Sequence, residues 1–195
     1  GIVSWDFAMS IQPGWHSTVF APYFVAGAIF SGVAMVATLL IIMRKFYRLK
    51  HIITDDHLDK LAQLILAIYL IWFYLSLMEI LPEWFGGDIF HKNVVLSRFS
   101  GPSSVHFWTM VATAGVLPLF LIFRRFRRSA PFLLVTSILI NLGMWLERVM
   151  IVISTTRSYI PASWGDIQPT WVDLSIVIGT FSMFAFLLLI FAKLF

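Results

Sequence analysis

Three charged residues stand inside long apolar stretches of this sequence: Glu79, Glu147 and Arg148. A charge at membrane depth is costly and tends to mark a functional position, so chemistry is sought first at these side chains. A carboxylate there can accept and release protons, and a guanidinium can orient a carbonyl or carboxylate oxygen. Neighbouring residues on a helix point about 100° apart, so Glu147 and Arg148 are expected to find partners on other helices rather than in each other. Asp6 and Glu79 are the candidate anions for Arg148, with Asp173 a third that suits the capping of its own helix equally well. Asn141, seven residues before Arg148 and on the same helical face, would extend a polar pocket inward. The same charges also fit a plainer role, a buried pair that fixes helix register and does no chemistry.

The elements that must position these residues are membrane helices. Of 195 residues, 59% are hydrophobic and 12% charged, against about 25% charged in a soluble domain. Five apolar runs, 22–43, 61–81, 105–123, 131–153 and 173–192, each approach the roughly 20 residues needed to cross the hydrocarbon core. The expected fold is an all-α integral membrane protein of about five transmembrane helices. Residues 1–14 read as the tail of a preceding helix and an outer turn, and residues 15–195 as the transmembrane bundle. With no initiator Met, no basic leader and an end at or near an apolar run, the chain is expected to be the interior of a larger polytopic subunit.

Basic residues set the orientation. Arg44, Lys45, Arg48, Lys50 and Lys60 lie between the first two runs and Arg124, Arg125, Arg127 and Arg128 between the third and fourth, whereas the alternate loops hold only Lys92, Arg98 and Arg157. The positive-inside rule puts the first set in the cytoplasm, the N-terminal segment outside and Phe195 inside, with anionic lipid a natural contact of the arginines. The outer loops, 82–87 and 159–171, are rich in Trp, Pro and Gly, which suits an interfacial belt or a docking surface for an outer partner. In the first span Gly27/Ser31 and Ala28/Gly32 fall four apart, a pattern for close helix packing, and Pro118 should loosen the third span.

Several function classes drop out. Without cysteine there are no thiolate-held clusters or zinc sites, and His16, His51, His57, His91 and His106 all fall at span ends or in loops, away from where a pair would ligate a b-type haem. No lysine lies mid-span for a retinal Schiff base, and Gly86-Gly87 lacks the Lys-Ser/Thr of a phosphate loop. The basic residues sit in short turns rather than on a broad face, which argues against nucleic acid.

The motifs Ser4-Trp5-Asp6-Phe7-Ala8, Pro13-Gly14-Trp15-His16-Ser17 and Pro22-Tyr23-Phe24-Val25-Ala26-Gly27-Ala28, followed by Asn141-Leu142-Gly143-Met144-Trp145-Leu146-Glu147-Arg148, resemble the NrfD/polysulfide-reductase membrane-subunit family. The resemblance is greatest to the quinol-oxidising membrane subunit of bacterial alternative complex III. It implies the later helices of a roughly ten-helix, two-bundle subunit in the bacterial inner (cytoplasmic) membrane. It further implies a quinol or menaquinol site near the outer face. The implied partners are an iron-sulfur subunit, a multihaem cytochrome c and a related membrane subunit, which carry the clusters and haems. Asp6 and Arg148 would then be the catalytic pair, Asp6 accepting protons and Arg148 anchoring the quinol oxygen; His16 would join the quinol site as a proton relay. Glu79, Glu147 and Asn141 would be proton-handling or structural. The alternative reading is a non-catalytic sister subunit, acting as a proton-conducting module with a polar chain to the basic side, or as a structural anchor with paired charges and no cavity.

Overall fold

A computed structural model describes residues 1–10, 15, 17–86, 89–101, 103–154 and 170–194, with the side chains at 90, 91, 153, 154, 192 and 194 left aside. Two compact units result, Gly1–Ser158 and Tyr159–Phe195. All regular structure among the described residues is helical. The elements are α1 (Ile2–Ala8), α2 (Phe20–Phe46), α3 (Asp55–Gly86), α4 (Ile89–Ser100), α5 (Ser104–Met110), α6 (Arg124–Arg127), α7 (Ala130–Val149) and, in the second unit, α8 (Trp171–Leu194). Among the described residues five helices are long and apolar enough to span a membrane: Phe20–Phe46, Asp55–Gly86, Ser104–Ile122, Ala130–Val152 and Trp171–Phe191. The all-α, five-span expectation holds. A helix is the natural answer to an apolar sequence in lipid because it satisfies each backbone group within its own segment.

One expected loop is helical. The chain does not break at Pro82: α3 runs through it to Gly86, and α4 follows as a further helix. Proline in a helix interior removes one N–H, but surrounding elements in a membrane bundle tolerate the freed carbonyl. The expected turn at 11–14, His16 and the outer-loop residues 155–169 lie outside the described residues.

In the first unit α2 packs against both α3 and α7. Its buried face is Phe20, Tyr23, Ala26, Gly27, Phe30, Ala34, Ala37 and Ile41. Of the two small-residue pairs, only Gly27 is buried in a helix contact; Ala28 and Gly32 are exposed, and a Cβ at Gly32 would meet nothing. The helix phase decides this, because Ala26, Phe30, Ala34 and Ala37 already occupy the face toward α3 and α7. Both partners supply apolar stripes with polar members: Leu58, Asp59, Ala62, Ile65, Tyr69, Trp72, Glu79 and Glu83 on α3, and Leu133, Thr136, Ser137, Ile140, Gly143, Met144 and Glu147 on α7.

The third span changes pitch as Pro118 suggested. It is α-helical over Ser104–Met110, π-helical over Val111–Val116 and 3-10 over Leu117–Ile122, with Pro118 buried. The mixed geometry strands carbonyls, and the Tyr69 hydroxyl donates to one of them, Gly115 O, at 2.6 Å.

At the basic end, three arginines are tied to the first turns of α3. Arg44 pairs with Asp55 at 2.7 Å, Arg127 with Asp59 at 2.9 Å and Arg128 with Asp56 at 3.1 Å. The arginine cluster is therefore partly a clamp between elements as well as an orientation signal. In the second unit Asp173 is not the N-cap: Thr170 is, and its backbone N–H donates to Asp173 Oδ2 at 2.8 Å in a capping-box arrangement.

Candidate functional site

Glu147 is the most deeply buried carboxylate of the described residues, 1% exposed near the end of α7. Its Oε1 accepts from two helices: the Tyr23 hydroxyl on α2 donates to it, and Trp72 Nε1 on α3 donates at 3.1 Å. Buried carboxyl groups persist only where such partners offset the lost hydration. The geometry follows from the stripes, since Tyr23 near the start of α2, Trp72 midway along the longer α3 and Glu147 near the end of α7 each occupy a core-facing position. Trp72 is further fixed by stacking against Phe30 (5.6 Å between ring centroids) and Tyr23 (6.5 Å).

Arg148 sits beside this carboxyl group and corrects one expectation. Its Nη2 lies 3.6 Å from Glu147 Oε2, so the two neighbours do pair by charge, although not by a hydrogen bond. The long side chain makes this possible by folding back over α2. Its guanidinium carbon stands 3.8 Å from the centre of the Phe24 ring, and Nη2 donates to Phe24 O at 3.1 Å. Gly27 supplies the space, because a Cβ there would come within 2.7 Å of Arg148 Nη2 and 2.8 Å of Met144 Cε.

Glu79, 4% exposed near the end of α3, accepts from Ser17 Oγ at 2.5 Å. Ser17 Oγ in turn accepts from Phe20 N at 3.0 Å, so the first turn of α2 fixes the hydroxyl that meets Glu79. Trp15 Nε1 donates to Ile151 O at 2.9 Å, tying the approach to α2 onto the π-helical continuation of α7, Met150–Ser154. A cavity of about 40 Å³ lies between these elements. Glu79, Glu147, Tyr23, Ser76 and Arg98 give it a polar wall, and Phe107, Met110 and Met150 are among its apolar residues. That volume holds a few waters.

The sequence-derived residues are only partly brought together. Glu147 and Arg148 meet, and Glu79 faces the same cavity as Glu147. Asp6 is exposed on α1 and forms no ion pair with Arg148 among the described residues. The reason is helical phase: Phe7 turns toward Trp15, Phe20 and Phe24, which carries the adjacent Asp6 off the packed face. Asn141 spends its amide on its own helix, donating to Ser137 O at 2.9 Å. His16 lies outside the described residues. Sequence reasoning missed Tyr23, Trp72, Ser17 and Arg98. Tyr23 and Ser17 stand inside the family-like motifs with no role of their own in the sequence, Trp72 reads as an apolar span residue, and Arg98 counts only as a loop charge.

These features define a class: a polytopic helical membrane protein that buries a hydrogen-bonded carboxyl group and an adjacent arginine at one end of its bundle, next to a polar-walled cavity. Residues 3–158 match the family model described as polysulphide reductase, NrfD. The chain belongs to the NrfD polysulphide reductase family. It is also 26% identical over 215 aligned residues to a Halobacterium salinarum protein provisionally named as a membrane subunit of dimethyl sulfoxide reductase. That alignment takes in 96% of this chain and 48% of the relative, so the chain spans about half the length of the curated protein it matches.

Proposed function

We propose that this chain is part of the membrane subunit of a respiratory quinol-oxidising complex. It binds quinol or menaquinol at the end of the bundle that carries Glu79 and Glu147, which this reading places at the outer face of a bacterial inner membrane. Electrons leave to an iron-sulfur or multihaem partner, as the resemblance to the quinol-oxidising subunit of alternative complex III implies. The observation that carries the reading is Glu147, a buried carboxyl group held by Tyr23 and Trp72 beside Arg148 and facing a cavity. Quinol oxidation releases two protons and two electrons, so its site needs proton acceptors and polar anchors with a redox centre close by. In this reading Glu147 accepts the proton of the quinol hydroxyl that enters the cavity, and Glu79, across the same cavity, relays it onward. Asp6 and His16 serve as later proton carriers toward the aqueous side.

The test is quinol-dependent electron transfer in the intact complex carrying Glu147→Gln, Glu79→Gln and Asp6→Asn, with assembly checked for each. Glutamine keeps an acceptor for Tyr23 and Trp72 but cannot take a proton, so Glu147→Gln should cost about 100-fold or more in turnover. Full turnover in an assembled Glu147→Gln complex would leave the cluster a structural role and favour the sister-subunit reading.

A further inference from the structure

Among the described residues two arginines stand at this end of the bundle, Arg148 and Arg98, and of these Arg98 lines the cavity. Arg148 is engaged by the Phe24 carbonyl, the Phe24 ring and Glu147, and it is not among the cavity-lining residues. Arg98 lines the cavity from α4, together with Glu79, Glu147, Tyr23 and Ser76. It is half-buried, and it makes no hydrogen bond or ion pair among the described residues. A guanidinium is never deprotonated under ordinary conditions and offers five N–H donors in a planar fork. Facing two buried carboxyl groups across a small space, it is the group able to donate to an oxygen that enters there. The apolar side of the cavity, Phe107, Met110, Met150 and Ile80, is one packed cluster whose methionines adapt to the edge of a flat ring.

We propose that Arg98 is the residue that binds the ligand oxygen in this cavity, and that Arg148 is a positioning residue acting through Glu147. The proposal rests on the quinol reading above. As a quinol O–H bond breaks and its proton passes to Glu147, the oxygen gains negative charge, and Arg98 donates to it. Glu79 relays that proton onward from Glu147, the O–H on the opposite edge of the ring releases its proton outside this cavity, and once both electrons have gone to the partner's iron-sulfur or haem centre the product is a neutral quinone. Its carbonyl oxygen is a weaker acceptor for Arg98, which favours release. Only the oxygen-bearing edge of the ring enters the 40 Å³ space, and the rest of the ring lies against the apolar cluster.

The experiment uses the intact complex and two readouts: fluorescence-quench titration with heptyl-hydroxyquinoline N-oxide, a quinol analogue, and KM and kcat for quinol. A lost charge-assisted donor corresponds to about a 10- to 100-fold weaker affinity. Arg98→Gln is expected to weaken analogue binding and raise KM by about that factor, with Arg98→Lys intermediate. Arg148→Gln is expected to lower kcat and leave analogue affinity within about threefold of wild type. Unchanged affinity and KM in Arg98→Gln, or a loss of affinity confined to Arg148→Gln, would overturn the assignment while leaving the quinol reading intact. A wild-type complex that neither binds the analogue nor oxidises quinol would remove the quinol reading itself. If Arg98→Gln does not assemble, Arg98→Lys decides by the same titration, and wild-type affinity there counts against the proposal.

Discussion

Replacing Gly27 by alanine tests whether the Arg148 guanidinium is seated where the structure puts it. The new methyl would stand 2.7 Å from Arg148 Nη2 and 2.8 Å from Met144 Cε, about 0.7 Å and 0.6 Å short of ordinary contact at 3.4 Å. Met144 can turn its terminal methyl away at little cost. Arg148 cannot move as freely, because the same nitrogen donates to Phe24 O at 3.1 Å and lies 3.6 Å from Glu147 Oε2. A shift of about 0.7 Å away from the methyl takes that hydrogen bond beyond useful length. Loss of a hydrogen bond from a charged donor costs about 1.5–3 kcal/mol. Alanine recovers up to about 1 kcal/mol through its better helix propensity. The net expectation is a destabilisation of about 1–2 kcal/mol, read as a lower midpoint in thermal unfolding of the detergent-solubilised complex.

The decisive comparison is the same change in an Arg148→Leu background, where a branched side chain can repack and no donor is left to displace. There Gly27→Ala should be neutral or stabilising, so the two substitutions couple. An identical effect of Gly27→Ala in both backgrounds would show that the guanidinium does not occupy this seat.

Two further substitutions probe the scaffold around the site. A Cβ at Gly143 would meet Thr113 Oγ1 at 2.5 Å, Ala114 Cβ at 2.9 Å and the Ala114 backbone nitrogen at 3.1 Å, whereas one at Gly32 would meet nothing within 4 Å. Gly143→Ala should therefore lower stability by about 1–3 kcal/mol by forcing α7 from the π-helical segment, and Gly32→Ala should be neutral or raise it, in the same unfolding assay. Tyr69→Phe removes the donor to Gly115 O and leaves that carbonyl without it in the third span. A loss of about 1–2 kcal/mol is expected, with faster amide exchange over residues 111–122 in hydrogen-exchange measurements.

Span number and placement were legible because hydropathy alone decides them: every predicted run overlaps an observed helix to within a few residues at most ends. The largest discrepancy is at the start of α3, where Asp55, Asp56, Asp59 and Lys60 look like a loop by charge. They form helix because acidic side chains favour a helix N-terminus and because Arg44, Arg127 and Arg128 pair with the three aspartates. The site was legible at its charged members and illegible at its neutral ones. Glu79, Glu147 and Arg148 stand out in any apolar run, but the donors that hold Glu147 are a tyrosine at a span start, which reads as an interfacial aromatic, and a tryptophan in mid-span, which reads as one more apolar residue. Glu147 and Arg148 do find their hydrogen-bond partners on other helices, as helical phase demands, and the charge contact between them was missed because that rule treats side chains as directions fixed at Cα. Arginine is long enough to fold across a glycine gap on the neighbouring helix and come back to its own carboxylate neighbour.

The proton-conducting alternative makes a demand that can be weighed against the facing stripes. Down α7 from Glu147, the next fully buried polar side chains are Ser137 and Thr136; the half-buried Asn141 in between has its amide on Ser137 O. Ten residues of helix separate Glu147 from Ser137, about 15 Å at 1.5 Å per residue. Met144 and Ile140 fill that interval on α7, Ile65 and Ala62 continue the opposing stripe of α3, and Phe30 and Ala34 lie on α2. Tyr69, one turn below Trp72, already gives its hydroxyl proton to Gly115 O. Hydrogen-bonded oxygens stand about 2.8 Å apart, so a proton wire across this gap needs about four waters in a row, threaded between side chains now in the packed core. Exchange between Glu147, Glu79 and the near aqueous side needs only the cavity that both carboxyl groups already line. Among the described residues, the arrangement favours proton release on the side where Glu79 and Glu147 sit over conduction through this bundle.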